Sequence, residues 1–172
     1  MFDLIIIGAG PGGYELALEA SKKGLSVTLI EANALGGTCL NSGCIPTKAY
    51  YKSASLIKEL KDAASLGVKA NYELDFVTIK NRKDEIVKNF QAGILFSLKK
   101  AGVNIVNGFG KLVDKNTVMV GDDKYTAKYI VIASGSSNVG LSGFENDLTS
   151  ADILNITEVP KKLAIIGGGV IG

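Results

Sequence analysis

Leu4-Ile5-Ile6-Ile7-Gly8-Ala9-Gly10-Pro11-Gly12-Gly13 stands close to the start of the chain. A short, β-branched apolar run that stops on glycine reads as a buried parallel strand. The Gly-x-Gly-x-x-Gly that follows reads as a tight turn opening a helix. That helix is expected over Tyr14 to Lys23, with Ala17, Leu18 and Ala20 as its apolar face and Gly24 as its C-cap. Leu25 to Ile30 is a second apolar strand, ending at Glu31. Strand, glycines, helix, strand and acid together make a βαβ unit of the dinucleotide-binding kind. Gly8 allows the turn, Gly10 lets backbone approach a pyrophosphate, and Gly13 lets the helix pack closely on the strand. Pro11 and Gly12 complete the turn. The helix N-terminus presents N–H groups and a partial positive charge to phosphates. Glu31 stands where a carboxylate accepts from ribose hydroxyls. This pattern does not separate FAD from NAD.

Outward from that unit, residues 38 to about 61 read as a long helix, 62–74 as a loop, and about 76–101 as a second long helix. In the latter, Ile79, Ile86, Phe90, Ile94 and Leu98 recur at helical spacing, and its aromatic residues are expected in the core. Val103 to Val106 reads as a strand. Lys111 to Ala127 alternates and turns often, at Asp114-Lys115-Asn116 and Gly121-Asp122-Asp123, and reads as a small antiparallel meander. Tyr129 to Ala133 reads as another buried strand, and 138–159 as a loop-rich connection. Leu163-Ala164-Ile165-Ile166 then leads into Gly167-Gly168-Gly169-Val170-Ile171-Gly172. This repeats the opening pattern, so a second Rossmann unit is expected to begin there. The sequence stops on its third glycine and is expected to be truncated, because a strand without its helix cannot bury both faces. The fold class expected is α/β, with a parallel sheet, long helices and a β-meander.

Gly36-Gly37-Thr38-Cys39-Leu40-Asn41-Ser42-Gly43-Cys44-Ile45-Pro46-Thr47-Lys48 contains both cysteines of the chain. In a regular helix their Cα atoms would stand roughly 8.7 Å apart. A disulfide tolerates about 7 Å at most. A bridge therefore needs a distorted helix start, which Gly43 and Pro46 supply. Near a helix start the dipole favours thiolate. Lys48 lies one turn after Cys44, where its cation can stabilise a thiolate or a reduced cofactor. Two other readings stand beside this one. The cysteines are buried free thiols, with the Gly and Pro context a coincidence. Or they are half of a zinc site, for which the chain has no histidine and no second cysteine pair.

Composition narrows the classes. With 47 % hydrophobic residues in 172, disorder is unexpected. A net charge of +2 without a basic block gives no signal for nucleic-acid or membrane partners. The N-terminus lacks a basic n-region, so no signal peptide is read. Two cysteines in such a chain point to a reducing compartment, and a cytoplasmic location is expected.

The segment Gly37 to Lys48 closely resembles the active-site motif of the flavin-type pyridine nucleotide–disulfide oxidoreductases. Within them it is most similar to the dihydrolipoamide dehydrogenase branch. Glutathione and mercuric reductases are similar too, typically with Val at the Leu40 and Ile45 positions. The first fingerprint, Ala133-Ser134-Gly135 and the second glycine cluster extend the resemblance over the whole chain. Glu15 and Ala32 depart from the usual pattern. The resemblance implies an FAD-binding domain over 1–160, itself incomplete, and the first strand and turn of an NAD-binding domain over 161–172. It implies that Gly8, Gly10 and Gly13 cradle the FAD pyrophosphate and that Glu31 holds the ribose. Gly37, Thr38 and Lys48 would line the flavin side. Gly110 or Lys111 would offer backbone to the adenine, Ser134 and Gly135 would close over the cofactor, and Gly167, Gly169 and Gly172 would begin the NAD site. Cys44 would be the flavin-facing thiol and Cys39 the interchange thiol of a redox disulfide. That disulfide would oxidise dihydrolipoamide, with electrons passing through FAD to NAD. The implied partners are the lipoyl group of a 2-oxoacid dehydrogenase complex and a second subunit of a homodimer. The family's general-acid histidine and its glutamate lie further along than this sequence reaches, so the fragment alone is expected to be inactive. The remaining alternative is a non-catalytic flavin-binding fragment.

Overall fold

In the computed structural model, which describes residues 1–140, 142–144 and 147–172, the first apolar run forms strand β1 (Phe2–Ile7). Helix α1 (Pro11–Lys22) and strand β2 (Val27–Glu31) follow as expected. The chain divides into two compact units, each built from two segments: Met1–Asn41 with Asn89–Ser137, and Ser42–Lys88 with Asn138–Gly172.

The first unit contains a six-stranded sheet. Its further strands are β3 (Asn104–Asn107), β4 (Gly110–Asp114), β5 (Thr117–Val120) and β6 (Asp123–Ile132), in the order β3-β2-β1-β6-β5-β4. β1 pairs in parallel with β2 (Leu4 opposite Val27) and with β6 (Leu4 opposite Tyr129), and β2 pairs in parallel with β3. β4, β5 and β6 are antiparallel. β1 alternates between two cores. Leu4 and Ile6 pack with Ala17 and Ala20 of α1 and with Leu98, while Ile5 packs on the other face with Ile30, Val118 and Ala127. Burying side chains of this size contributes about 1.5–3 kcal/mol each. At the opposite end of β1, the Asp3 carboxylate accepts from the Ser26 N–H and hydroxyl and from Lys128 Nζ, at 2.9, 2.7 and 2.6 Å.

The expected meander is present as β4, β5 and the start of β6, and its last strand and the expected strand at Tyr129 prove to be one continuous element. β6 pairs with β5 through Thr126 and with β1 from Ala127 onward. Nor is its second half buried on both faces: Tyr129 and Ile132 are 71 % and 66 % exposed. An apolar run alone does not say whether helices cover both sides of it.

The expected helix over 38–61 is two helices, α2 (Gly37–Ser42) and α3 (Cys44–Asp62). Gly43 between them has φ −140° and ψ −116°, neither helical nor extended, so the helical path is interrupted there. Helix α4 (Phe76–Lys100) matches expectation in extent. Its aromatic residues do not: Phe90 and Phe96 are exposed. Only the stripe through Ile94 and Leu98 meets the first unit's core, and the phenylalanines flank it.

In the second unit, α3 and the first half of α4 are tied by polar groups as well as apolar ones. Arg82 Nη1 donates to the Ala49 carbonyl at 3.0 Å. The Tyr50 and Phe76 rings lie 5.9 Å apart. Lys83 is buried, ion-paired to Asp84 at 2.5 Å, with Nζ 5.6 Å from the Tyr50 ring centroid. The expected loop at 62–74 includes a 3₁₀ turn, Ala63–Leu66. The connection over 138–159 holds a short helix α5 (Ser150–Ile153), started by a Thr149–Asp152 capping box. Its expected loop character at Leu141, Glu145 and Asn146 lies outside the described residues. The Leu163–Ile166 segment is exposed and belongs to none of the described ladders.

Candidate functional site

In the first unit, the carboxyl ends of β1, β2 and β6 converge on the Gly8 turn. Gly8 N–H donates to the Ile30 carbonyl, Ala133 N–H to that of Ile7, Gly36 N–H to that of Ala9 and Gly108 N–H to that of Glu31, each at 2.8 Å. The strand order reverses here, since the chain runs from β1 to β2 on one side and β6 lies on the other. In open α/β sheets, ligands bind at such switch points.

The glycines are required by close approach. Gly8 has φ +103°, and a Cβ on it would stand 2.3 Å from the Ala133 carbonyl oxygen. A Cβ on Gly13 would stand 1.8 Å from the Gly8 oxygen, and one on Gly37 2.7 Å from Gly10 Cα. A Cβ on Gly12 would meet nothing within 4 Å, so the turn is open on that side. Helix α1 begins here with Gly10 as N-cap, without a side-chain cap among the described residues. An uncapped helix start behind a glycine-rich turn that is open at Gly12 fits a pyrophosphate, in charge and in space. Gly110 packs against Ile7 and Ile30, and Ser134 lies beside Gly8. Thr38, Lys111 and Gly135 are exposed.

Glu31 takes part in the turn itself. Its Oε2 accepts from Ala9 N–H at 2.6 Å and its Oε1 from Asn33 N–H at 2.8 Å. The carboxylate thus fastens the end of β2 to the turn after β1.

Cys39 is half-buried on α2; Cys44 is exposed as the first residue of α3. Both are thiols. The phenol of Tyr14 is pushed up, by burial first, then by Glu15, with a smaller contribution from the charge of Cys39. The start of α3 is closed by Thr47, whose N–H and hydroxyl donate to the Gly43 carbonyl at 3.1 and 2.6 Å. Lys48 is exposed one turn after Cys44.

Sequence reading gives no role to two residues, one within the thiol stretch and one packed against it. Asn41 Nδ2 donates to the carbonyls of Leu35 and Gly37 at 3.0 and 2.9 Å, and Gln91 Nε2 donates to Asn41 Oδ1 at 2.5 Å. No local pattern announces a pair fifty positions apart.

In the second unit, the last glycines repeat the first turn. Gly167 has φ +105°, and a Cβ on Gly172 would stand 2.0 Å from the Gly167 oxygen and 3.4 Å from Ile165 Cγ2. The matching distance from a Cβ on Gly13 to Ile6 Cγ2 is also 3.4 Å.

Residues 2–172 match the family described as pyridine nucleotide-disulphide oxidoreductase. The chain belongs to that family. It is 41 % identical over 181 residues to the dihydrolipoyl dehydrogenase of Acholeplasma laidlawii, covering 99 % of this chain and 54 % of that protein. It is 43 % identical over 182 residues to the mitochondrial dihydrolipoyl dehydrogenase 1 of Arabidopsis thaliana, covering 99 % and 36 %. With the leghemoglobin reductase of Vigna unguiculata it shares 42 % identity over 182 residues, covering 99 % and 35 %. The chain thus spans about half, or less, of the length of these relatives. Like the sequence expectation, the structure is a mixed α/β fold with a largely parallel sheet at the family's first fingerprint. Among the described residues, no helix is long and apolar enough to cross a membrane, and no group of side chains is arranged to hold a metal ion.

Proposed function

We propose that this chain supplies the FAD-binding and dithiol part of a dihydrolipoamide dehydrogenase. The observation that carries this is the Gly8–Gly13 turn at the sheet's switch point, with Gly37 and Ala133–Ser134 packed against it and Cys39 two residues beyond Gly37. Gly8, Gly10, Pro11, Gly12 and Gly13 hold the pyrophosphate; Glu31 and the Gly110–Lys111 backbone hold the adenosine end. Gly37, Thr38, Ser134, Gly135 and Lys48 enclose the flavin. FAD, when bound, supplies a two-electron acceptor between the dithiol and NAD. Cys39 takes the interchange role and forms the mixed disulfide with the lipoyl dithiol. The first lipoyl thiolate, in attacking Cys39 Sγ, breaks the Cys39–Cys44 bond and leaves Cys44 as a thiolate; the second lipoyl thiolate then attacks the lipoyl sulfur of the mixed disulfide, closing the lipoyl disulfide and releasing Cys39 as a thiolate. Lys48 stabilises negative charge beside Cys44. Residues 1–160 form the FAD-binding domain and 161–172 open the NAD-binding one, where Gly167, Gly169 and Gly172 form its turn. The working protein is a cytoplasmic homodimer that serves the lipoyl group of a 2-oxoacid dehydrogenase complex.

Two measurements test this. The purified chain should take up FAD and turn yellow; a colourless protein after incubation with excess FAD removes the cofactor assignment. The full-length protein should turn over dihydrolipoamide. Turnover of glutathione disulfide or mercuric ion instead moves it to another branch of the family. Cys44→Ser should abolish the turnover while leaving flavin bound.

A further inference from the structure

Cys39 lies on a helix of six residues that Gly43 cuts off from α3. A helix so short is not stable by its own hydrogen bonds. Something outside it must hold Cys39, and Gly37 at its start, in place. Asn41, inside the helix, is the group through which it is tied to its surroundings. Its amide donates backward to the Gly37 carbonyl and to the Leu35 carbonyl in the turn before the helix. That turn is also held by Gly36 N–H on the Ala9 carbonyl, which places Gly37 against Gly10. Asn41 can make these bonds only with its amide nitrogen facing the turn, and its carbonyl oxygen is then left facing α4. Gln91 fills that side, donating to Asn41 Oδ1 at 2.5 Å from a half-buried position. A side-chain amide has one acceptor and one donor end, so the Gln91 donor fixes which way Asn41 points.

We propose that Gln91 is a positioning residue for the thiol stretch: through Asn41 it locks the Leu35–Gly37 turn, and with it Cys39 and the approach of Gly37 to Gly10. Its importance for turnover rests on the flavin–disulfide reading above, but the lock itself does not.

The test compares the two thiols of the one chain. Purified 172-residue protein, without flavin, is reacted with a dipyridyl disulfide, and labelling at Cys39 and Cys44 is followed separately by peptide mass. Gln91→Ala should raise the Cys39 rate roughly five- to tenfold and leave the Cys44 rate unchanged, with the same circular dichroism spectrum. Gln91→Glu cannot donate when ionised. At neutral pH it should behave like the alanine variant, and below its carboxyl pKa, about 4.3, it should recover a donor and return Cys39 toward the wild-type rate. This acid rescue is not expected of a residue that only fills space. If both cysteines accelerate together, or neither does, or the glutamate variant shows no recovery in acid, the proposal is wrong. FAD uptake by the wild-type chain is measured alongside: its absence would overturn the cofactor reading while the labelling result still decides the role of Gln91.

Discussion

Two glycines in one turn face opposite circumstances. A methyl on Gly13 would fall 1.8 Å from the Gly8 oxygen, which belongs to backbone held by the Ile30 carbonyl and cannot move aside cheaply. Gly13→Ala should therefore cost about 3 kcal/mol, at the upper end of overpacking, and abolish FAD uptake. Gly12 has open space, and its replacement by Ala removes backbone freedom from the unfolded chain. Gly12→Ala should leave stability unchanged or raise it by about 0.5 kcal/mol. Urea midpoints of the two variants decide the matter: equal shifts would show that the close approach at Gly13 is relieved by movement of the turn. The role of Gly13 was legible from spacing alone, because the constraint lies within a few residues. The Asn41–Gln91 contact was not, because it depends on where α4 passes α2.

At the scale of elements, sequence placed nearly every helix and strand but misjudged their joints. The pattern over 38–61 is continuous, and only the backbone at Gly43 divides it. β6 was divided at residues where its partner changes from β5 to β1, although its backbone runs straight through. Helix α5 carried a readable capping signal, Thr149 to Asp152, that went unread. The α3–α4 contact hides a further element-scale question, whether Lys83 serves through its charge or its stem. Asp84 retains Lys80 as a partner at 2.8 Å, and its side chain is 47 % exposed, so losing Lys83 does not strand a buried charge. The aliphatic stem of Lys83, by contrast, is buried beside Tyr50. Lys83→Met keeps that volume and should change stability by less than about 1 kcal/mol. Lys83→Ala removes about three methylenes and should cost about 2 kcal/mol. Thermal unfolding of the pair measures the difference; equal losses in the two variants would assign the role to the charge.

At the scale of the whole chain, two units each carry a carboxylate held in its ionised form. In the first, Lys128 and then Ser26 hold the Asp3 carboxyl well below the usual range. In the second, Lys80 and then Lys83 lower Asp84. A carboxyl lowered in the folded state stabilises it above the unfolded value, about 3.9, and that stability is lost as pH falls through the folded value. Lys128, raised mainly by Asp3, adds stability that is present below about 10.4 and lost as pH rises further. Acid should therefore weaken both units, and the contribution of the Asp3 pair can be separated by substitution. Lys128→Met removes the largest cause of the Asp3 shift but leaves Ser26 in place. Because Asp3 and Lys128 lie at the surface, the effect should shrink in high salt. The variant should be less stable than wild type at pH 7 and somewhat closer to it at pH 3, where protonation of Asp3 in the unfolded chain has begun to remove the pair's contribution in wild type. Thermal midpoints at the two pH values, in low and high salt, check this. A gap between variant and wild type that is as wide at pH 3 as at pH 7 would mean that Lys128 acts through its stem across the end of β1, not through the Asp3 carboxylate.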